Sequence, residues 1–424
     1  MNEVVIVGGG LAGASAASAL RAEGFDGVVT LVGSESHPPY ERPPLSKSYL
    51  RGESDRPEAY VTPEEWWARH GVEVRTGVRV RRIDRVGRSV ELADGTSRRF
   101  DWLILAPGSR ARTLRVPGGD LEGVRTLRTF EDADEIRARA RDAEHVLVVG
   151  GGWIGSEVTA SLRQLDVPVT LAVSAHRPLE RALGERLAGL YDRLHRDHGA
   201  ALLPRTRIVA LEGDGRVRAA RTVAGDRIPA DLVVVAIGAA PLVDLAQDAG
   251  LTVSDGVVVD GLLRTDDRTV LAAGDIARVP YPDLRRSLRV EHWGAARAQG
   301  EHAARTVVGA RQPYAELPYF YSDQYETGME FWGDPLRPGE VVVRGDPESL
   351  AFDMFWQEDG RVRAALNMHV HHHHDHAAPD DHHDHAGGHL DPAVVARLLR
   401  SPGVDVGALG DPDVPLDAVV PGDR

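Results

Sequence analysis

The hydrophobic positions near the start of this chain fall into short runs separated by a longer alanine-rich segment. The first apolar run is Val4 to Val7, the alanine-rich segment covers about residues 11–22, and a second apolar run extends from Val28 to Val32. Short apolar runs are typical of strands buried in a parallel sheet, and the segment between them has the length of a helix. The pattern predicts a strand–helix–strand motif of an α/β protein.

The same pattern recurs after residue 145. An apolar run at 146–149 predicts a strand, a helix is predicted near 155–165, and the next strand near 167–172. This second motif lies between two blocks that end alike, because 106–108 and 236–238 each close an apolar run with a turn of small residues. The likeness predicts that one α/β domain is inserted into another.

The predicted fold class is therefore α/β, with two Rossmann-like domains followed by an α+β C-terminal domain. Residues 1–112 and 239–317 are predicted to form a discontinuous first domain, and 113–238 the inserted one. Residues 318–424 form the C-terminal domain, with a histidine-rich insertion at 369–389.

Each strand–helix–strand motif carries a glycine pattern at its first turn. In the G-x-G-x-x-G spacing the first glycine makes a tight turn, the second lets backbone N–H groups approach a pyrophosphate, and the third packs helix on strand. Two such turns imply two dinucleotides, and the simplest chemistry that uses both is electron transfer between a nicotinamide and a flavin. The glycines are Gly8, Gly10 and Gly13 in the first motif and Gly150, Gly152 and Gly155 in the second.

Composition narrows the partners of such an enzyme. A net charge of −14 disfavours nucleic acid and anionic membranes, and no apolar run reaches the roughly 18 residues of a membrane span, so we expect a cytoplasmic protein. The chain has no cysteine. It therefore has no redox disulfide and no cysteine-ligated cluster of its own, and electrons must leave a flavin directly for an external acceptor.

Two charged residues have a candidate role from position alone. Glu35 follows the first glycine turn at about the distance where an acid binds a ribose hydroxyl, although an exposed loop acid is the alternative. Lys47 is the only lysine among 50 basic residues, and it follows the rigid pair Pro43-Pro44. A lysine is a compact point charge, which arginine cannot replace.

The ordered set of motifs resembles the ferredoxin and rubredoxin reductase family of FAD-dependent NAD(P)H oxidoreductases, within the pyridine nucleotide-disulfide oxidoreductase superfamily but without redox cysteines. Apoptosis-inducing-factor flavoproteins share the same motifs. The matching segments are the first glycine turn, 39–47 (PYERPPLSK), 150–157 (GGGWIGSE), 272–275 (AAGD), 291–293 (EHW) and 319–325 (YFYSDQY).

The resemblance implies FAD on the first motif and NADH or NADPH on the second. It further implies that Lys47 pairs with Glu157 beside the flavin ring, with Trp293 close by as a third catalytic residue; a helix-start acid and a core tryptophan are the alternatives for the last two. The implied FAD-binding residues are Gly8, Gly10, Leu11, Ala12, Gly13, Glu35, Arg42, Lys47, Val80, Arg128, Gly274, Asp275 and Trp293. The implied NAD(P)H-binding residues are Gly150, Gly152, Trp153, Ile154, Gly155, Val173, Ser174, Arg177 and Gly238.

The chain departs from the family at Val173, where members that prefer NADH typically have a glutamate. Such a carboxylate would bind the ribose diol and repel a 2′-phosphate. Ser174, His176 and Arg177 offer contacts to a phosphate instead, but Arg177 also occurs in NADH-type members. The choice between NADH and NADPH stays open from sequence.

A second departure is the segment 368–390, which contains ten of the 18 histidines interleaved with aspartates. Imidazole and carboxylate donors suit zinc, nickel or copper, but a Gly/Ala/Pro-interrupted tract fixes no ligand geometry. We expect weak divalent-metal binding by an inserted loop and no defined metal site.

The predicted function is an FAD-dependent NAD(P)H reductase that passes electrons to a [2Fe–2S] ferredoxin or a rubredoxin of an oxygenase system, as a monomer or homodimer. Arg285, Arg286 and Arg289 offer a local basic patch for an acidic carrier, or a solvated arginine loop. The alternatives are a reductase of a quinone or small organic radical, and a redox- or metal-responsive protein like apoptosis-inducing factor.

Overall fold

The computed structural model describes residues 2–333, 339–371 and 390–420. Its Cα positions divide into two compact units. Unit 1 comprises Met1–Arg112, Arg128–Ala133 and Gly238–Glu316, and unit 2 comprises Thr113–Leu127, Asp134–Ile237 and Leu317–Arg424.

The strands are numbered in chain order. Those up to residue 126 are β1 (Glu3–Val7), β2 (Val28–Val32), β3 (Val72–Arg75), β4 (Val80–Asp84), β5 (Ser89–Leu92), β6 (Ser97–Arg99), β7 (Trp102–Leu105), β8 (Ser109–Ala111) and β9 (Val124–Thr126). Next come β10 (Val146–Val149), β11 (Val169–Ala172), β12 (Ala201–Leu203), β13 (Ile208–Asp214), β14 (Arg216–Thr222), β15 (Arg227–Pro229), β16 (Leu232–Val235), β17 (Ala239–Pro241) and β18 (Val257–Val258). The last are β19 (Val270–Ala272), β20 (Ala277–Tyr281), β21 (Arg286–Arg289), β22 (Tyr319–Gln324), β23 (Thr327–Gly333), β24 (Glu340–Asp346), β25 (Ala351–Glu358) and β26 (Arg361–Val370).

The α-helices are α1 (Leu11–Ala22), α2 (Ser48–Arg51), α3 (Glu64–Arg69), α4 (Phe130–Ala140), α5 (Trp153–Gln164), α6 (Glu180–Asp197), α7 (Asp244–Asp248), α8 (Trp293–Val307), α9 (Pro392–Arg400), α10 (Val406–Gly410) and α11 (Leu416–Val419). Short 3₁₀ helices cover Pro43–Ser46, Arg56–Ala59, Gly274–Ile276, Pro282–Leu284 and Pro347–Ser349.

Unit 1 is built on a five-stranded parallel sheet in the order β19-β7-β1-β2-β3. Val4, Val5 and Ile6 of its central strand are fully buried, as expected for a strand covered on both faces. Helix α8 packs closely on α1. A Cβ on Gly300 would lie 2.2 Å from the carbonyl oxygen of Ala12, so the contact between the two helices depends on this glycine.

Unit 2 contains a second five-stranded parallel sheet, in the order β12-β11-β10-β16-β9. It also contains an antiparallel sheet in the order β22-β23-β26-β25-β24. Side chains of α6, among them Leu187, join one apolar core with Phe331 and Leu366 of the antiparallel sheet. Helices α9 to α11 contribute to a separate core that includes Phe355 and Leu398.

The predicted fold class is confirmed, with small differences at the element ends. Helix α1 spans the predicted residues, whereas α5 begins two residues earlier than predicted because Gly152 precedes its first residue. Two residues of the predicted insertion, His369 and Val370, belong to β26 and pair with Gly328 and Thr327 in the antiparallel sheet. The remainder of the insertion, 372–389, lies outside the described residues.

Candidate functional site

The first glycine turn joins β1 to α1 in unit 1 and has the backbone that a dinucleotide turn needs. Gly8 has a φ of +125°, and a Cβ there would lie 1.9 Å from the carbonyl oxygen of Ala106. A Cβ on Gly13 would lie 2.0 Å from the carbonyl oxygen of Gly8. Both positions therefore exclude any other residue type.

Gly10, between them, faces open space. No atom lies within 4 Å of the position its Cβ would take, and it precedes α1 without any side chain capping that helix. Leu11 and the buried Ala12 form the first positions of the helix. Uncapped N–H groups at a helix N-terminus attract a pyrophosphate, so this turn fits the flavin dinucleotide predicted for it.

The second glycine turn, between β10 and α5 in unit 2, repeats the geometry. Gly150 has a φ of +114°, and a Cβ on Gly155 would lie 1.8 Å from the carbonyl oxygen of Gly150. Gly152 has nothing within 4 Å of its Cβ position and precedes an uncapped helix. Trp153 and Ile154 follow it; the Trp153 ring lies 5.0 Å from the Phe320 ring, and Ile154 is exposed. The turn fits a second dinucleotide.

Glu35, beyond the end of β2, is held by two neighbours in unit 1. Its carboxylate accepts hydrogen bonds from the hydroxyl of Tyr40 at 2.5 Å and from Nη1 of Arg42 at 3.2 Å. The same Nη1 donates to the carbonyl oxygen of Arg128 at 2.8 Å. Burial opposes ionisation of Glu35, but the hydrogen bond and charge of Arg42 outweigh it and lower the pKa of this carboxyl. The structure thus brings together three residues that the sequence assigned to FAD separately, and adds Tyr40.

A second cluster in unit 1 surrounds the turn after β19. Asp275 pairs with Nη2 of Arg128 at 3.1 Å. Gly274 has a φ of +75°, and its N–H donates to Oε1 of Gln299 at 2.8 Å. Gln299 lies on α8, is fully buried and was not predicted as a site residue. Its side chain holds the Gly274 turn in place through this hydrogen bond.

Arg289 also supports this turn, which corrects one prediction. Its Nη1 donates to the carbonyl oxygen of Asp275 at 3.1 Å, and its charge is paired with Glu291 and Asp255. Its side chain is only 13% exposed. Arg289 therefore does not belong to an exposed basic patch with Arg285 and Arg286.

Lys47 and two further predicted FAD residues have defined positions in unit 1. Lys47 is half-buried between the Pro43–Ser46 3₁₀ helix and α2, and its backbone N–H donates to the carbonyl oxygen of Pro44 at 3.0 Å. Val80 is buried at the start of β4. Trp293 is the first residue of α8, and the guanidinium carbon of Arg297 lies 5.6 Å from the centroid of the Trp293 ring.

Glu157 lies on α5 in unit 2 and is 5% exposed. Its Oε1 accepts a hydrogen bond from the hydroxyl of Ser322 at 2.7 Å, and that hydroxyl in turn accepts from Nε2 of Gln324 at 3.1 Å. Ser322 and Gln324 belong to the 319–325 motif of β22. The carboxylate is thus oriented by two residues that sequence reasoning did not assign a role. Its pairing with Lys47 stays a prediction.

The remaining residues predicted to bind the nicotinamide nucleotide, three after β11 and Gly238 after β16, differ in burial and in ion pairing. Val173 is 3% exposed and packs on Gly151, while Ser174 is exposed. Arg177 is paired with Glu185 at 3.3 Å, and its backbone N–H donates to Glu180. Gly238 has a φ of +96° and falls in unit 1.

Two histidines of the histidine-rich segment are described. Nδ1 of His369 lies 3.0 Å from Oδ1 of Asn367, and Nε2 of His371 lies 3.4 Å from Oδ1 of Asp323, which raises the pKa of His371. Within 2–333, 339–371 and 390–420, no three histidine or acidic side chains are grouped to hold a metal ion. Metal binding by 372–389 stays a prediction.

No helix in the same ranges is long and apolar enough to cross a membrane.

Comparison of the sequence with known proteins shows which family this chain belongs to. Residues 2–300 match the model of the pyridine nucleotide-disulphide oxidoreductases, and residues 319–378 match that of the reductase C-terminal domain. The chain belongs to the pyridine nucleotide-disulphide oxidoreductase family. The absence of cysteine sets it apart from members that carry a redox disulfide.

Relatives within the family cover most of both chains. Rhodocoxin reductase of Rhodococcus erythropolis is 39% identical over 353 residues, which are 83% of each chain. The ferredoxin–NAD(+) reductase component of the anthranilate 1,2-dioxygenase system of Burkholderia cepacia is 41% identical and covers 86% of this chain and 90% of its own. The solved covalent complex of putidaredoxin reductase with putidaredoxin aligns with a TM-score of 0.89 at 33% identity, covering 99% of this chain and 98% of that one. The predicted resemblance to ferredoxin reductases is confirmed.

Proposed function

We propose that this protein is an FAD-dependent NAD(P)H reductase that delivers electrons to a ferredoxin-type iron–sulfur carrier of an oxygenase system in the cytoplasm. The observation that carries the proposal is the pair of glycine turns with the same open geometry, one in each compact unit. Two dinucleotide sites in one chain serve hydride transfer from a nicotinamide to a flavin. Membership of the family and the names of its relatives support both coenzymes.

Unit 1 supplies the residues that would hold FAD. The open N-terminus of α1 at Gly10 suits the pyrophosphate, and the Glu35 carboxylate suits a ribose hydroxyl. Glu35 can still accept a hydrogen bond from the ribose in addition to those from Tyr40 and Arg42, because a carboxylate has about four acceptor positions. Asp275, placed by Arg128 and the rigid turn at Gly274, suits the polyol chain of the flavin.

When bound, the flavin would accept a hydride from the nicotinamide and release electrons singly. Around it, the Lys47 ammonium would stabilise negative charge that develops on reduction. Glu157 would hold that ammonium in place, and the hydrogen bond from Ser322 keeps the carboxylate in one rotamer.

The acceptor is inferred from composition and from relatives. With no cysteine, the chain has no disulfide to receive electrons. The relatives at 39% and 41% identity are named for rhodocoxin and for a ferredoxin, and a similar reductase has been solved in complex with putidaredoxin. We therefore propose a small [2Fe–2S] protein as partner, with the reductase acting as monomer or homodimer.

An acceptor panel tests the proposal. The purified holoprotein is mixed with excess NADPH or NADH and, in parallel, with putidaredoxin, a benzoquinone and ferricyanide, and the rate of each reduction is followed by absorbance. We expect the kcat/KM for putidaredoxin to exceed that for the quinone by about tenfold or more, a difference of about 1.4 kcal/mol in transition-state binding. Reduction of putidaredoxin no faster than that of the small acceptors would contradict the proposal.

A further inference from the structure

We propose that unit 2 binds the 2′-phosphate of NADPH on the guanidinium of Arg205, so that the protein uses NADPH in preference to NADH. This inference rests on the proposed function, because it names the electron donor of the same site. Arg205 lies in the turn after β12, far along the sequence from the second glycine turn.

The two strand–helix–strand motifs can be compared within the chain. In the first, the middle glycine of the turn, Gly9, lies against Gly33, the residue directly after β2. In the second, Gly151 lies against Val173, the residue directly after β11. Val173 thus matches Gly33 in position, and Ala175 matches Glu35.

The acid that would bind a ribose diol is therefore missing from the second motif. Neither Val173 nor Ala175 carries a carboxylate, and residues 173–179 (VSAHRPL) contain none. The first acid beyond them is Glu180, whose side chain accepts from the backbone N–H of Arg177 at the start of α6. A 2′-phosphate entering here would meet no carboxylate in this segment.

The backbone holds Arg205 beside this segment. Strand β12 lies parallel to β11, and the N–H of Val173 donates to the carbonyl oxygen of Leu203 at 2.9 Å. The N–H groups of Arg205 and Thr206 return to the carbonyl oxygens of Ala175 and Val173, each at 2.8 Å. Arg205 has a φ of +51°, in the left-handed region that a non-glycine residue occupies at a cost. These bonds fix the backbone of Arg205 beside the end of β11, within reach of the residues that follow that strand.

The charge of Arg205 is available to a ligand. It contacts the imidazole of His176, with Nη2 lying 2.9 Å from Nε2 of that ring, and among the described residues no carboxylate pairs with it. Arg177, by contrast, is paired with Glu185. Both Arg205 and His176 are exposed. A guanidinium matches the geometry of a phosphate with two hydrogen bonds, and in Rossmann motifs that bind NADP an arginine near the adenosine ribose accommodates the 2′-phosphate.

The binding of two adenosine nucleotides tests the contact between Arg205 and the 2′-phosphate without electron transfer. The affinities of the purified holoprotein for adenosine 2′,5′-bisphosphate and for 5′-ADP are measured by calorimetry at one ionic strength, since charge contacts weaken with salt. We expect the bisphosphate to bind at least tenfold more tightly. The Arg205→Ala variant should bring the two affinities to within about threefold, while the Arg196→Ala control, which removes an exposed arginine paired with Asp192, should keep the wild-type ratio.

Steady-state kinetics with NADPH and NADH provide a second test of the same contact. The ratio of kcat/KM for NADPH to that for NADH should exceed ten in the wild type, and both Arg205→Ala and Val173→Glu should lower it by about tenfold. Equal affinity of the wild type for the two adenosine nucleotides would overturn the inference, as would an unchanged ratio in Arg205→Ala that retains its FAD absorbance. Because the calorimetry uses no electron acceptor, failure of putidaredoxin reduction would count against the proposed function alone.

Discussion

Replacing Gln299 with leucine should weaken FAD binding although this side chain lies behind the cofactor turn. Gln299 is fully buried on α8, and its Oε1 accepts the hydrogen bond from the N–H of Gly274. Gly274 precedes Asp275, the residue we assign to the flavin polyol. Leucine has a similar size but no acceptor, so the change removes the hydrogen bond and leaves most of the packing.

The size of the effect follows from the burial of both partners. A buried donor left without an acceptor costs about 1–3 kcal/mol. If the turn relaxes in the apoprotein so that the Gly274 N–H reaches water, FAD binding must restore it, and the whole cost falls on the FAD affinity. That corresponds to an increase in Kd of about 5- to 150-fold. If the turn cannot relax, the same cost falls on the free energy of unfolding.

Two measurements on one preparation therefore capture the whole effect. The Kd for FAD is obtained by fluorescence titration of apoprotein, and the free energy of unfolding of the apoprotein by urea denaturation. Gln299→Glu serves as the control, because a protonated glutamic acid keeps a carbonyl acceptor in the same place. We expect the two losses in Gln299→Leu to sum to about 1–3 kcal/mol. A variant unchanged in both measurements would refute the role assigned to Gln299.

Three further predictions concern other residues. Lys47→Met and Glu157→Gln should each slow flavin reduction in stopped-flow experiments by about tenfold or more while FAD stays bound, and rates within twofold of wild type in both would show that the pair is only structural. Burial raises the pKa of Asp353 to about 6. The contribution of this carboxyl to the stability of the folded state is therefore complete below about pH 4, where it is protonated, and is lost as the pH rises through 6. Asp353→Asn should therefore raise the free energy of unfolding at pH 8 by about 1–3 kcal/mol in urea titrations, and an unchanged pH dependence would contradict this. Excising 372–389 and joining the ends with a Gly/Ser linker should leave FAD content and dye reduction nearly intact and abolish retention on nickel resin; loss of activity that one metal ion restores would show a functional metal site.

Local patterns were enough to predict the fold class and the two glycine turns. Apolar runs of strand length followed by an alanine-rich helix determine the local structure, and residues such as Gly8 and Gly150 have a backbone that other residues cannot adopt. The ends of elements were less predictable. Helix α5 begins at Trp153 because a glycine precedes it, and apolar periodicity alone does not mark that boundary.

Contacts between distant segments were not predictable from sequence. Ser322 orients Glu157 across 165 positions of the chain, and no local signal links them. Arg289 was assigned to a basic patch because its contacts with Asp275, 14 residues earlier, and Asp255, 34 residues earlier, have no local signal, although its pairing with the nearby Glu291 does. Arg205 escaped notice because only the parallel pairing of β11 with β12 brings its turn to the nucleotide segment.

The identity and redox behaviour of the bound cofactor test the central claim most directly. Flavin released by acid from the purified protein is identified by chromatography, and the intact protein is titrated with NADPH and NADH in the absence of oxygen. We predict one non-covalent FAD per chain, whose visible absorbance is bleached by a reduced nicotinamide coenzyme. Release of FMN, or a colourless protein that does not take up FAD, would contradict the assignment of the first glycine turn and the function built on it.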